Sequence, residues 1–112
     1  MSNLVYFLDD EVFLGEIFKE YMEAKGLEVE IFNHPKDAIQ ACNEKSPDIM
    51  CIDYRLPDMT GEQVAQSTSP KIKKILLTGE LALSLSYPFK KVILKPYKLH
   101  ELALLLFELL EQ

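Results

Sequence analysis

Ile49-Met50-Cys51-Ile52-Asp53 is a run of four apolar residues that stops at a carboxylate. It is bounded by Ser46-Pro47-Asp48 on one side and by Leu56-Pro57-Asp58 and Gly61 on the other. A short apolar run between such turn signals reads as a strand buried on both faces, with Asp53 where the chain leaves the core. Three more apolar runs end on a polar group: Leu4-Val5-Tyr6-Phe7-Leu8 runs into Asp9-Asp10, Ile75-Leu76-Leu77 into Thr78, and Val92-Ile93-Leu94 into Lys95. If these strands lie parallel, one edge of the sheet gathers three carboxylates, a hydroxyl and an ammonium.

The segments between the runs supply the helices such a sheet requires. Asp9-Asp10-Glu11 places acids before a helical pattern over Val12 to Lys25, with Phe13, Ile17, Tyr21 and Ala24 expected on its apolar face and Gly26 as its stop. Leu27-Glu28-Val29-Glu30-Ile31-Phe32 alternates apolar with acidic, which places this second strand at a sheet edge. Asn33-His34-Pro35 then starts a helix running from about Lys36 to Glu44, since Pro is tolerated in a first turn.

Beyond Asp53, Pro57 and Gly61 mark an ordered turn, and Glu62 to Ser67 is a brief helical stretch ended by Ser67-Thr68-Ser69-Pro70. Lys71, Lys73, Lys74, Lys90 and Lys91 read as solvated strand ends, and His34 and His100 as surface residues. Leu81 to Phe89 admits two readings, because Leu81-Ala82-Leu83-Ser84-Leu85 alternates like a strand while Leu81 and Leu85 stand one helical turn apart. A strong helix follows from about Lys98 to Glu111. Strands alternating with helices predict one domain over residues 1–112: a doubly wound, flavodoxin-like α/β fold with a five-stranded parallel sheet in the order 2-1-3-4-5 and helices on both faces. In that arrangement ligands bind outside the carboxyl ends of the strands, at the switch point.

The 112 residues are 48% hydrophobic and 27% charged, the balance of a folded soluble domain. No apolar run approaches the roughly 18 residues of a membrane span, and Met1-Ser2-Asn3 lacks the basic flank of a signal peptide, so a cytoplasmic setting is expected. Cys42 and Cys51 fall in a helix and a buried strand and are read as reduced core residues. A net charge of −6 argues against nucleic acid as a partner. Residues 1–66 hold fourteen acidic and five basic side chains against four and seven in 67–112, so the acidic half should attract cations.

Three carboxylates converging on one pocket repel one another, which raises their pKa values or calls for a cation. Mg²⁺ suits such a site, because it takes oxygen ligands and is commonly held by one or two carboxylates together with phosphate oxygens. A carboxylate beside the ion can act as nucleophile and form an acyl phosphate. Lys95 offers a positive charge for phosphoryl oxygens and Thr78 a hydroxyl. The set suffices for phosphoryl transfer to Asp53.

The acidic pair Asp9-Asp10, Asp53, Pro57 and Gly61, Thr78 and Lys95-Pro96, in this order and each at or beside a strand end, resemble the receiver domains of two-component response regulators. The resemblance covers essentially the whole chain. It implies that Asp53 accepts a phosphoryl group from the phosphohistidine of a histidine kinase or histidine phosphotransfer protein. It further implies that Asp10 binds the metal directly, that Asp9 assists through water, and that Asp53 and the Arg55 backbone carbonyl complete the Mg²⁺ site. Thr78 and Lys95 would hold the phosphoryl group, and the Lys95-Pro96 bond would be cis. On this resemblance the chain is expected to be a stand-alone signalling domain with output through protein contacts, catalysing only its own phosphorylation and dephosphorylation. A small phosphatase of similar fold is disfavoured, because Arg55 stands where a second aspartate would serve as general acid.

Two departures from the family pattern bear on the consequences of phosphorylation. Val92 occupies the position, three before the lysine, where the family usually places an aromatic switch residue. The intervals from Asp53 to Thr78 and from Thr78 to Lys95 are each short by more than a helical turn of ~3.6 residues, so the third and fourth helical segments should be stunted. Arg55 is expected to pair with Asp58 or a ligand carboxylate when no metal is bound. In the last helix, Leu102 to Phe107 is apolar through six successive positions, more than one buried face requires. Its cover is either the Leu81–Phe89 segment or another protein surface, and an apolar patch of that size favours a homodimer or partner interface over Lys98–Glu111. A phosphorylation-independent dimerisation module that retains the receiver fold is therefore the rival reading.

Overall fold

A computed structural model describes residues 3–112, leaving Met1 and Ser2 of the expected unflanked start outside the described residues. The quoted run becomes β3 (Ile49–Asp53), at the centre of a five-stranded parallel sheet. With β1 (Leu4–Leu8), β2 (Glu28–Phe32), β4 (Lys73–Thr78) and β5 (Lys91–Leu94), the order is β2-β1-β3-β4-β5, as the alternation predicts. The helices are α1 (Val12–Glu23), α2 (Pro35–Glu44), α3 (Gly61–Gln66) and α4 (Leu99–Leu110). Register pairs Leu8 with Ile52, Asp53 with Leu77 and Thr78 with Leu94. Asp9, Asp53, Thr78 and Lys95 therefore leave the sheet at one level.

Strand pleat divides the core in two, because successive side chains face opposite sides. Val5, Phe7, Ile49, Cys51, Ile75 and Leu77 face α1 and α4, whereas Leu4, Tyr6, Leu8, Met50 and Ile52 face α2 and α3. In β2 the acids Glu28 and Glu30 point to solvent and Val29 is buried, which is the edge strand its alternation implied.

The apolar face of α1 differs from expectation. Gly15, Phe18 and Met22 are buried, while Phe13 and Ile17 are 68% and 37% exposed and Ala24 is exposed; of the expected stripe only Tyr21 joins the core edge. Phe18 stacks on Phe7 with ring centroids 4.2 Å apart, and Gly15 lets the helix close on Ile31, to which an added Cβ would lie 3.4 Å away. The small residue sets the rotation of the helix. Gly26 ends it as predicted: at φ 97° it permits the Leu27 N–H to bond the Met22 carbonyl and its own N–H the Glu23 carbonyl, at 3.2 and 3.0 Å.

The expected shortening of the third and fourth segments is borne out. Helix α3 has six residues, started by a reciprocal capping box between Thr60 and Gln63, and residues 79–90 form neither helix nor strand. Val92 and Leu94 of β5 are consequently 47% and 45% exposed. Tyr87 and Phe89 of this connection pack on the α2/α3 side, so the segment is not the cover of the last helix. That helix is covered by the sheet and α1 instead: Leu102, Ala103, Leu106 and Leu109 are buried, and of the apolar run Leu102–Phe107, Leu104 alone is exposed.

Lys74 corrects a further expectation. It does not lie at a solvated strand end but is 1% exposed. Its ammonium reaches the carbonyls of Ala65, Thr68 and Ser69 at 3.2, 3.4 and 2.8 Å and the Tyr87 hydroxyl at 2.7 Å. A buried ammonium requires such partners, and the end of α3 supplies them. Lys73, half-buried, donates to the Leu109 and Gln112 carbonyls at the end of α4.

Gly61 fixes the turn between β3 and α3. Its N–H donates to the Tyr54 carbonyl at 2.7 Å, and a Cβ there would stand 2.5 Å from the Asp53 carbonyl oxygen and 2.9 Å from Leu76 Cδ1. Gly61→Ala should cost about 1–3 kcal/mol by overpacking, read as a lower urea midpoint. An unchanged midpoint would refute this account of the turn.

Candidate functional site

Four strand ends build the site. Asp9 and Asp10 follow β1, Asp53 ends β3, Thr78 ends β4 and Lys95 follows β5. Asp9 is held from two sides: its N–H donates to the Phe32 carbonyl at 3.1 Å, and its carboxylate accepts the Glu11 N–H at 2.9 Å. The Lys95 N–H donates to the Thr78 carbonyl at 2.7 Å, extending the sheet by one residue and fixing where the lysine departs. The Lys95-Pro96 peptide is cis, as the resemblance implied.

The Lys95 ammonium lies 3.0 Å from Asp53 Oδ1 and 3.2 Å from Asp9 Oδ2. Asp9, Asp53 and Thr78 are buried, whereas Asp10 stands exposed. One carboxylate oxygen from each of Asp9, Asp10 and Asp53 lies within 4.8 Å of the others. A cleft of about 380 Å³ opens over them, lined by Asp10, Asp53, Arg55, Thr78, Gly79, Glu80 and Lys95. Asp10, Asp53, Arg55, Thr78 and Lys95 therefore converge on one cleft, with Asp9 buried beside it against Lys95.

One ammonium does not balance three carboxylates. Burial raises the Asp53 pKa above its ordinary 3.8; the hydrogen bond from Lys95 opposes this, and the charges of Asp9 and Asp10 add to it. For Lys95, burial acts to lower the pKa, but the hydrogen bond and charge of Asp53 and the charge of Asp9 outweigh it and raise it. The stability contributed by the lysine is thus present below its ordinary 10.5 and is lost as pH rises through the higher folded value. An all-oxygen, net-negative donor set fits a hard cation. The Arg55 backbone carbonyl is compatible with a share in it: in the bridge between Arg55 and Thr60 the Tyr54 carbonyl takes the Gly61 N–H, and among the described loop residues no backbone N–H donates to Arg55.

Arg55 departs from expectation in its side chain. The guanidinium pairs with neither Asp58 nor a ligand carboxylate but with Glu80, across the cleft mouth. Glu80 was not singled out by sequence reasoning, although its place two residues after Thr78 put it at the same sheet edge. Its N–H donates to Thr78 Oγ1 at 3.0 Å. The cysteines have no comparable role, since burial pushes the Cys42 and Cys51 thiols up to about 11 and about 12. Neither is in a disulfide.

Comparison with known proteins places this geometry. A family model described as the response regulator receiver domain matches residues 5–106. The luminescence regulatory protein LuxO of Vibrio campbellii is 30% identical over 75 residues, covering 64% of this chain and 17% of that protein. The probable transcriptional regulatory protein TcrX of Mycobacterium tuberculosis is 28% identical over 116 residues, covering 96% of this chain and 50% of that one. The chain thus spans about a sixth of the length of the LuxO proteins it matches and half that of TcrX. A CheY-like receiver domain structure from Methanospirillum hungatei JF-1 superposes with a TM-score of 0.91 at 26% identity, covering 99% of this chain and 95% of that one. Among the described residues no helix is long and apolar enough to cross a membrane.

The raised Asp53 pKa gives a signed prediction. Its charged form costs stability, a cost fully present above the raised value and lost as pH falls through it towards 3.8. Asp53→Asn should therefore raise the urea midpoint at pH 7 in chelator-treated buffer, with the advantage vanishing on acidification. A lowered midpoint at pH 7 would show that the Lys95 pairing, not carboxylate crowding, dominates.

Proposed function

The chain belongs to the response regulator receiver domain family, and from that premise we propose that Asp53 is its phosphoacceptor, taking a phosphoryl group from the phosphohistidine of a histidine kinase or histidine phosphotransfer protein. The observation that carries the reading is the Asp53 carboxylate, held 3.0 Å from the Lys95 ammonium beside two further carboxylates under an open cleft. Asp53 attacks phosphorus in line, an O–P bond forms as the P–N bond to imidazole breaks, and the electron pair of that bond leaves with the imidazole.

The chain's own groups are arranged for that step. The Lys95 ammonium, already shared between Asp53 and Asp9, can follow the transferred charge to a phosphoryl oxygen without leaving Asp9. Thr78 Oγ1 accepts the Glu80 N–H, which leaves its proton free to donate to a second phosphoryl oxygen. Mg²⁺ is the cation we assign to the Asp9, Asp10, Asp53 and Arg55-carbonyl set, where it would neutralise charge between the carboxylates and the incoming phosphoryl group. The chain acts on no separate substrate, works in the cytoplasm and signals through protein contacts.

A second reading has an observation of its own. Val92 is half-exposed where the family usually carries an aromatic, and Leu104 is 60% exposed beside partly buried Leu105 and Phe107. These favour a dimer through α4 that forms regardless of phosphorylation.

With Mg²⁺ and a small acyl phosphate donor, intact mass should rise by one phosphoryl group, and Asp53→Asn should abolish the gain. Lys95→Ala should slow it about a hundredfold, as for loss of one preorganised charge. Oligomeric state measured in the same samples separates the readings. No mass gain would sink phosphoacceptance, and a dimer present before the donor is added would support the rival.

A further inference from the structure

Lys74 is buried, charged and unused by phosphoryl transfer, and its partners join two elements far apart in sequence. Its three protons are shared among the carbonyls of Ala65, Thr68 and Ser69 at the end of α3 and the Tyr87 hydroxyl in the 79–90 connection. The ammonium also lies 4.8 Å from the centre of the Tyr87 ring. Glu62, in the first turn of α3, accepts the backbone N–H groups of both Ser86 and Tyr87. The backbone of Tyr87 is thus tied directly to α3, and its side chain to Lys74 of β4, which in turn holds the end of α3. The other end of the connection is tied differently: Glu80 is held by the Arg55 guanidinium, whose side chain is 78% exposed, and by Thr78 Oγ1.

Resting on the phosphoacceptor reading, we propose that residues 79–90 form a strap with a permanent anchor at Ser86–Tyr87 and a releasable clasp at Glu80, so that phosphorylation of Asp53 frees 79–85 while 86–90 stays fixed. The two fastenings differ in kind. An ammonium buried among carbonyls cannot lose a partner cheaply, whereas an exposed ion pair contributes little. An acyl phosphate on Asp53 carries about −1.5 to −2 in place of the single charge of the carboxylate, so the cleft that Arg55 and Glu80 both line gains up to about one negative charge, carried on phosphoryl oxygens that project further into it. It attracts the guanidinium, which suits phosphate oxygens, and repels the Glu80 carboxylate. The anchor lies outside that cleft. Tyr87 thereby does for this connection what a regular fourth helix would do by packing: it fixes one end so that the other can move.

Hydrogen exchange with mass spectrometry tests the division, read on the full chain with and without Mg²⁺ and the acyl phosphate donor. Phosphorylated protein should exchange about tenfold faster at the Glu80 amide, the one N–H of 79–85 that is hydrogen-bonded among the described residues, and unchanged over 86–90. Tyr87→Phe, which keeps the ring but removes the oxygen partner of the ammonium, should take up phosphoryl normally yet exchange about tenfold faster over 86–90 even without donor, the effect of losing a hydrogen bond to a charged group. Faster exchange over both halves of phosphorylated wild type would overturn the anchor, as would an unaltered 86–90 in Tyr87→Phe. Phosphoryl uptake with an unchanged Glu80 amide would overturn the clasp. Absence of phosphoryl uptake is a different failure: it removes the strap's trigger together with the phosphoacceptor reading, and the mass of the intact protein identifies it.

Discussion

The contact of Lys95 with Asp9 and Asp53 joins the ends of three strands into one charged group. The residues are far apart in sequence, and only a sheet with β1 and β3 adjacent and β5 two strands further on brings them within 3.2 Å. Parallel pairing also requires every strand to leave the sheet at the same edge, so all the polar ends face one cleft. The core forms by apolar burial, yet its topology matters chiefly because it clusters three carboxylates, two of them on a single ammonium. That imbalance makes the cluster suited to a cation, and Arg55, paired with Glu80, does not relieve it.

Much of this was legible in the chain because strand ends are marked twice, once where an apolar run stops and again by the residue that stops it. Asp9, Asp10, Asp53, Thr78 and Lys95 could be assigned to one edge before any geometry was known. The rotation of α1 could not. Phe13 and Ile17 are as apolar as Phe18 and Met22, and the choice between two stripes was settled by Gly15 against Ile31, a contact between elements. Lys74 was misread for a related reason. A lysine beside Lys71 and Lys73 looks solvated, and its burial depends on carbonyls left free at the end of a short helix and on Tyr87, thirteen residues away. Glu80 escaped notice because its partner, Arg55, is on the neighbouring loop. Leu81 to Phe89 admits two readings and adopts neither, since its order comes from Glu62 and Lys74 and not from any periodicity.

Val92 shows how a local departure can be spread over several positions. The aromatic group missing there has no substitute in β5, but Tyr87 and Phe89 lie just upstream with ring centroids 5.0 Å apart, on the α2/α3 side of the core. Aromatic mass is present on this side of the molecule at a different point of the chain, and it is tied to α3, not to the end of β5.

The thin cover of β5 bears on how the site is assembled. This four-residue strand pairs on one side only, shows Val92 and Leu94 to water on one face, and yet precedes the lysine on which the carboxylates depend. Sub-global opening starts where apolar contacts are fewest and backbone bonds most exposed. The chain has therefore put the ammonium that pairs with its carboxylates on the part of the sheet most ready to detach, and the carboxylates on the strands least ready to do so. Excursions that lift β5 would leave the central sheet intact but its carboxylates without their lysine, a folded protein that is transiently an acidic surface and not yet a site.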